Sequence, residues 1–411
     1  MRLVPSSTLR SMVVYGASGL AFLSANILLA RALSTDHYAL VTLVVALVTL
    51  GYYLAPAGLD GVVARGRAGV GPPLLLRAGA AAAVVGAALT AVALIVYGIA
   101  PATAALLLPA SVAGALMLVA AARFQSEQRF ALALALTTSP NLSLLLGAAA
   151  TIALGRQTAH VTLLVLTLGL AASAAIGWTV VLRERPRAAP QPSAIPWREA
   201  AALAGLSAAG MLFIQLERLV IPHLLPVEDL ALFGVLAAIA GSLFRLLQMG
   251  VGFSLLPRLR NAATVVERRR LIAHEARFAV AIAVSGAGAI LVVTPLLERW
   301  FLAGKYELPA ALIVAALFSG VAKIAHAFAR AAATALGTPR ELARVNGAGW
   351  LSVALAVGGA FLASPWGLTG VIYGVGAGWL AWAAMMFAVV HRHLRLPDVA
   401  ARTASAPTRS S

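Results

Sequence analysis

The chain has no cysteine. That excludes disulfide bonds, thiolate metal sites and cysteine nucleophiles, and it leaves the compartment open. Charge is scarce too. Only 11% of the 411 residues are charged, against about 25% in ordinary soluble domains. Acidic residues are the scarcest, 14 against 31 basic ones. A glycosyltransferase or polymerase site would need carboxylates in loops, and no paired constellation occurs there. Asp36, Glu228, Asp229, Glu298 and Glu307 are scattered over one set of loops. No P-loop, G-x-S-x-G elbow or H-E-x-x-H pair is present, so no catalytic residue, metal or cofactor is expected. No polar segment is long enough for a folded catalytic domain. The longest expected loop runs from Pro257 to Glu275.

What fills the chain instead is apolar. Hydrophobic residues make up 61%, and mean hydropathy is +0.92. A water-soluble fold this apolar could not cover its surface with polar groups. A lipid solvent removes that requirement. The net charge of +17 would suggest nucleic acid in a soluble protein. Here the basic residues sit in short segments between long apolar runs. That pattern reads as topology signals and contacts to anionic lipid headgroups, with no nucleic acid.

A membrane-crossing helix needs about 20 apolar residues. Residues 38–59, 78–122, 131–155, 157–182 and 345–390 contain no Asp, Glu, Lys or Arg. Two of these runs are too long for one span and should be hairpins, broken at Pro101 and at Ser364-Pro365-Trp366-Gly367. The expected spans are 12–32, 38–58, 76–98, 102–122, 131–154 and 160–182, then 199–221, 229–256, 276–297, 308–335, 342–362 and 367–390. Ala30-Arg31-Ala32 faintly resembles a signal-peptidase site. The first segment recurs in the second half, so a retained helix is the expectation. With twelve spans, and basic residues near a span's end counted with the adjoining loop, 24 of the 31 fall on the side of the N-terminus, four on the other and three deep inside spans. The positive-inside rule then places both termini and the 257–275 loop in the cytoplasm.

The chain also repeats itself. Leu33 to Leu40 aligns with Leu225 to Leu232, and the same offset pairs Asn26 with Arg218 and Gly58 with Gly250. The expected fold is therefore all-α, a polytopic membrane protein of about 12 transmembrane helices in two six-helix halves. Residues 1–183 form the first half, 184–198 a cytoplasmic linker rich in Arg and Pro, 199–396 the second half, and 397–411 a disordered cytoplasmic tail. Internal repeats with a site between them are a transporter hallmark.

Several segments carry a family resemblance. They are Leu29-Ala30-Arg31-Ala32-Leu33 with Tyr38-Ala39-Leu40, Gly58-Leu59 with Arg65, and Glu217-Arg218 before Leu224-Leu225. Leu256-Pro257-Arg258-Leu259, Ala335-Leu336-Gly337-Thr338-Pro339-Arg340 and Trp366-Gly367-Leu368-Thr369-Gly370 complete the set. Over nearly its whole length the chain resembles polysaccharide-type flippases of the multidrug/oligosaccharidyl-lipid/polysaccharide exporter superfamily. The resemblance implies movement of a lipid-linked oligosaccharide across the cytoplasmic membrane. Two positions depart from the pattern: Ser34 replaces the usual glycine after the first helix, and Glu217 the usual aspartate of the seventh.

Charges inside spans are the informative residues, because each costs about 2.5–3.5 kcal/mol at mid-bilayer on insertion scales and so faces protein or water. Ser319, Lys323, His326 and Arg330 recur at helical spacing on the tenth span. They read as a cationic stripe beside a cavity, with snorkelling of Arg330 as the plainer reading. Arg245 lies mid-span among Gly241, Gln248 and Gly252. Tyr15 and Asn26 lie on one face of the first helix, with Asn26 in the place of Arg218 in the repeat. Arg218, Arg245, Lys323, His326, Arg330, Asn26 and Tyr15 are thus the candidate substrate-binding residues. Glu217 is the one acidic residue expected inside a span rather than at its first residue, and the candidate for coupling to a proton or sodium ion. Asp60 and Arg65 are candidate gate residues. The expected partners are an anionic lipid-linked glycan, membrane lipids and that coupling ion, and the expected role is flipping by alternating access. Efflux of drugs or small soluble compounds by the same fold, or flipping of a peptidoglycan precursor, are the alternatives.

Overall fold

The computed structural model describes residues 7–155, 158–184, 195–241, 259, 262 and 264–395, with the backbone alone at 7–13, 15, 206, 282 and 339. The described residues are helical and contain no strand. The helices are α1 (Ser7–Ala32), α2 (Thr35–Leu54), the short α3 (Leu59–Ala64), α4 (Pro72–Ile95), the single turn α5 (Pro101–Ala104), α6 (Leu107–Ser126), α7 (Phe130–Ala153) and α8 (Ala159–Arg183). They continue with α9 (Trp197–Leu224), α10 (227–241), α11 (Val265–Leu296), α12 (Ala310–Leu336), α13 (Pro339–Ala363) and α14 (Gly367–Arg395).

Nine described helical stretches are long and apolar enough to cross a membrane. The last, Arg340–Arg395, contains both α13 and α14, α1 contributes Gly16–Ala32, and α10 reaches the edge of the described residues at 241. The chain is an all-α polytopic membrane protein of about twelve transmembrane helices.

Most helix ends fall within a turn or so of the spans expected from uncharged runs, because a charged or Pro/Gly boundary sets both. The repeat appears in these ends as well. α1 and α9 end 192 residues apart, and α2 and α10 begin 192 residues apart. Ser34 has a local task at this turn. It is extended (φ −62°, ψ 162°), and its hydroxyl accepts from the His37 N–H, capping α2.

One boundary differs from the expectation. The expected loop 257–275 is helical from Val265, so Arg268, Arg269 and Arg270 ride on the first turns of α11. Thr264 accepts from the Glu267 N–H at 3.2 Å, and Glu267 lies in the first turn. Thr-x-x-Glu is a helix-start signature, and its carboxylate favours the positive end of the helix dipole. The charge density that suggested a loop here marks a helix projecting past its apolar stretch.

The described residues divide into two compact units. One lies within Met1–Ser242 together with Thr294–Pro309, the other within Leu243–Val293 together with Ala310–Ser411. In the first unit α1 packs on α7, α7 and α6 on α8, α2 and α4 on α6, and α9 on α2 and α3. In the second, α14 packs on both α12 and α13.

Without water in the bilayer, every backbone polar group needs a protein partner. Pro140 sits inside α7 and cannot donate to the carbonyl of Leu136. The Ser139 hydroxyl donates to that carbonyl at 2.8 Å. Helix contacts rely on small residues rather than bulk, as expected where lipid tails compete with apolar side chains. At the α13–α14 crossing, a Cβ on Gly374 would stand 2.4 Å from the backbone of Gly359. Gly58 is held at φ +79°, which disfavours other residues, and a Cβ there would stand 1.9 Å from the Ala200 carbonyl oxygen. This backbone contact seats α3 against the start of α9.

Candidate functional site

In the first unit, the polar groups of α1, α2 and α9 converge. Asn26 is 7% exposed. Its amide donates to the Phe22 carbonyl at 2.8 Å, and its oxygen accepts from the Tyr38 hydroxyl at 3.2 Å. Arg218, 9% exposed, donates to the side-chain oxygen of Gln215 at 2.8 Å and lies 5.9 Å above the Phe233 ring. Gly234, next to Phe233 on α10, abuts Tyr38: a Cβ there would stand 3.1 Å from the tyrosine ring. Asn26 thus touches Tyr38 directly, and its repeat partner Arg218 stands over Phe233, the residue beside Gly234. Glu217, beside Arg218, is buried at 1% exposure. Pro222 lies one turn further along α9 and removes the N–H that would have paired with the Arg218 carbonyl. The side chain of Tyr15 lies outside what is described.

In the second unit, the expected stripe on α12 divides. Ser319 and His326 are buried, Lys323 is half-buried and Arg330 is exposed. His326 packs against two indoles of α14, its ring 4.8 Å from Trp379 and 4.4 Å from Trp382. Its Nε2 finds no hydrogen-bond partner among the described residues. Helical spacing placed these residues on one side of α12, but only the position of α14 decides which of them it covers. Arg245 lies outside the described residues.

The candidate gate residues part company as well. Arg65 donates to Glu199 at 2.9 Å, and Arg67 stands 3.7 Å from the same carboxylate. An ion pair thus joins the end of α3 to the first turn of α9, beside the Gly58–Ala200 contact. Asp60 is partly buried. Burial pushes its carboxyl above the usual carboxylate range, and the Gly61 N–H opposes that shift. A second ion cluster, Arg123–Glu127 at 2.9 Å and Arg129–Glu184 at 2.6 Å, ties the ends of α6, α7 and α8.

Sequence reasoning missed Lys305 and Tyr306. Lys305 donates to the carbonyls of Ala30, at 2.9 Å, and Leu33, at the C-terminal end of α1. Tyr306, 5% exposed, faces Tyr38 with ring centroids 6.1 Å apart. Nothing local in the sequence signals these contacts, which span more than 250 residues. Also in the first unit is a cavity of about 400 Å³, lined by Asp36, Leu43, Tyr97, Pro222, His223 and Leu230 among others. Its Tyr97 ring lies 4.9 Å from His223, tilted by 38°, and its hydroxyl donates to the Leu219 carbonyl at 3.0 Å. Among the described residues, no group of three or more His, Asp or Glu side chains could hold a metal.

No protein-family model matches the chain, and no curated protein matches it. Solved structures do. One is an inward-facing multidrug resistance MATE family transporter of the MOP superfamily, with TM-score 0.66 and 13% identity, covering 96% of this chain and 99% of that one. Another is the lipid II flippase MurJ in an inward closed conformation, with TM-score 0.61 and 10% identity, covering 93% and 87%. A third is a MOP superfamily transporter from Pyrococcus furiosus whose binding pocket has reversed polarity, with TM-score 0.58 and 13% identity, covering 94% and 95%. The chain has the fold of the MOP superfamily transporters.

Proposed function

We propose that the protein is a flippase that carries a lipid-linked oligosaccharide or polysaccharide precursor across the cytoplasmic membrane by alternating access. The observation that carries this reading is the cationic character of the intramembrane groups. Arg218 presents a buried guanidinium on α9, and Lys323 a half-buried ammonium on α12. Arg and Lys hold phosphate oxygens strongly, Arg with a two-pronged geometry. A diphosphate headgroup is the kind of ligand each of these groups attracts, and a cationic drug is one each repels. The lipid tail stays in the bilayer. Fold likeness to multidrug MATE transporters supports efflux of a small compound as the second reading, and likeness to MurJ supports a peptidoglycan precursor as the cargo.

Glu217 is the coupling carboxylate in this proposal. Protonation removes its charge and leaves Arg218 to engage the headgroup. Purified protein in proteoliposomes, given a fluorescent lipid-linked diphosphate oligosaccharide, is expected to flip it at a rate that depends on a proton or sodium gradient. Glu217→Gln keeps the shape of the side chain and removes its titration. It is expected to flip without gradient dependence. Movement of a cationic dye but not of the lipid-linked glycan would favour the efflux reading.

The same proposal places both termini and the start of α11 in the cytoplasm, following the basic residues. The chain has no native cysteine, so a single Thr264→Cys reports on one position. An impermeant maleimide is expected to label it only after intact cells are opened. Labelling in intact cells would reverse the orientation.

A further inference from the structure

We propose that residues 302–309 form a lid over the Asn26–Tyr38–Arg218 cluster, latched by Lys305 on the C-terminal end of α1. The inference rests on the alternating-access reading and names the element that closes the polar cluster at the α1–α2 turn.

The lid has a defined internal structure. The chain leaves α11 through a single π-helical turn, Leu297–Phe301, and reverses at Ala303 and Gly304, both with positive φ. Glu298 holds the two arms together, its carboxylate accepting the Leu308 N–H at 2.6 Å and its carbonyl the Gly304 N–H at 3.1 Å. This fixes which side chains point inward. Leu302, Tyr306 and Leu308 are 0%, 5% and 6% exposed, whereas Ala303, Gly304, Lys305 and Glu307 are exposed. Tyr306 lies against Tyr38, and Tyr38 in turn donates to Asn26. The lid thus touches the residue around which the candidate binding groups gather.

The latch has a physical reason to be where it is. The last carbonyls of a helix have no partner within it and carry the negative end of its dipole. Lys305 supplies an ammonium to two of them, on Ala30 and Leu33, and its charge also lies 5.4 Å from the Tyr306 ring. These contacts are at the surface and are modest in strength. A contact of that kind holds a lid closed yet lets it open in each cycle.

The test uses the full chain in proteoliposomes and needs no substrate, so it can fail while the flippase reading stands, and the reverse. The reporter is Asn26→Cys, within the covered cluster itself and 7% exposed in its native form. The probe is an impermeant maleimide, applied from each side in turn. With the lid intact, labelling is expected to be slow. Lys305→Gln is expected to raise the rate roughly fivefold from one side only, Lys305→Arg to keep it slow, and Tyr306→Ala to raise it in the same direction. Unchanged melting temperatures and monodisperse elution separate lid opening from unfolding. Should Lys305→Gln and Tyr306→Ala both label at the parent rate, or speed labelling equally from both sides, the lid is overturned.

Discussion

Arg218→Ala is expected to slow flipping of a lipid-linked diphosphate by at least about 30-fold while the protein stays folded. The estimate follows from the cost of truncating one member of a desolvated charge pair, about 2–5 kcal/mol, at about 1.4 kcal/mol per tenfold. Arg218 is 9% exposed and held by Gln215 and Phe233, so its guanidinium is already oriented and largely dehydrated. Arg218→Lys keeps the charge and loses the fork, so partial activity is expected. Lys323→Ala is expected to weaken flipping in the same way. Rates in proteoliposomes, with melting temperature as the folding check, decide the matter. Two alanine variants with parental rates would sink the cationic mechanism.

The largest expected effect on stability is at Gly374. A Cβ there would stand 2.4 Å from backbone atoms of Gly359, and backbone cannot rotate away as a side chain can. Gly374→Leu is expected to force α13 and α14 apart, at a cost of about 3 kcal/mol or more, beyond the usual range for overpacking. Gly358→Leu is the matched control. Nothing lies within 4 Å of a Cβ at Gly358, so the change should stay within about 0.5 kcal/mol. Thermal unfolding in detergent compares the two. Equal melting temperatures would show that the crossing has room the structure denies.

The helices were legible from sequence because a bilayer imposes a local rule: about 20 apolar residues between charges. Apart from α11, their ends could be read from Pro101, from the Ser364–Gly367 break and from charged boundaries. α11 is legible in principle, since Thr264-x-x-Glu267 announces its start, but a triple arginine reads equally as a loop. The candidate site was only half legible. Periodicity put Ser319, Lys323, His326 and Arg330 together on α12. It could not say that Trp379 and Trp382 would pack on His326, because that depends on how α14 packs. The partner of Arg65 is 134 residues away, and the partners of Lys305 lie 272 and 275 residues away. Such pairs leave no periodic trace. They are set by the tertiary arrangement alone.

The long reach of Lys305 has a consequence for biogenesis. A ribosome adds about 5–20 residues per second, so the 275 residues between Ala30 and Lys305 take roughly 15–55 s to make. During that interval the α1–α2 turn is already threaded into the membrane, and the carbonyls of Ala30 and Leu33 have only water to accept from. Arg65 waits a shorter time for Glu199, and Gly58 for the backbone of Ala200. The first hairpin is therefore completed in two stages, on one flank as α9 emerges and at its turn only after α11 has been inserted. A nascent chain stalled between these points would carry a loose α1–α2 turn, open to whatever quality-control machinery patrols newly inserted helices.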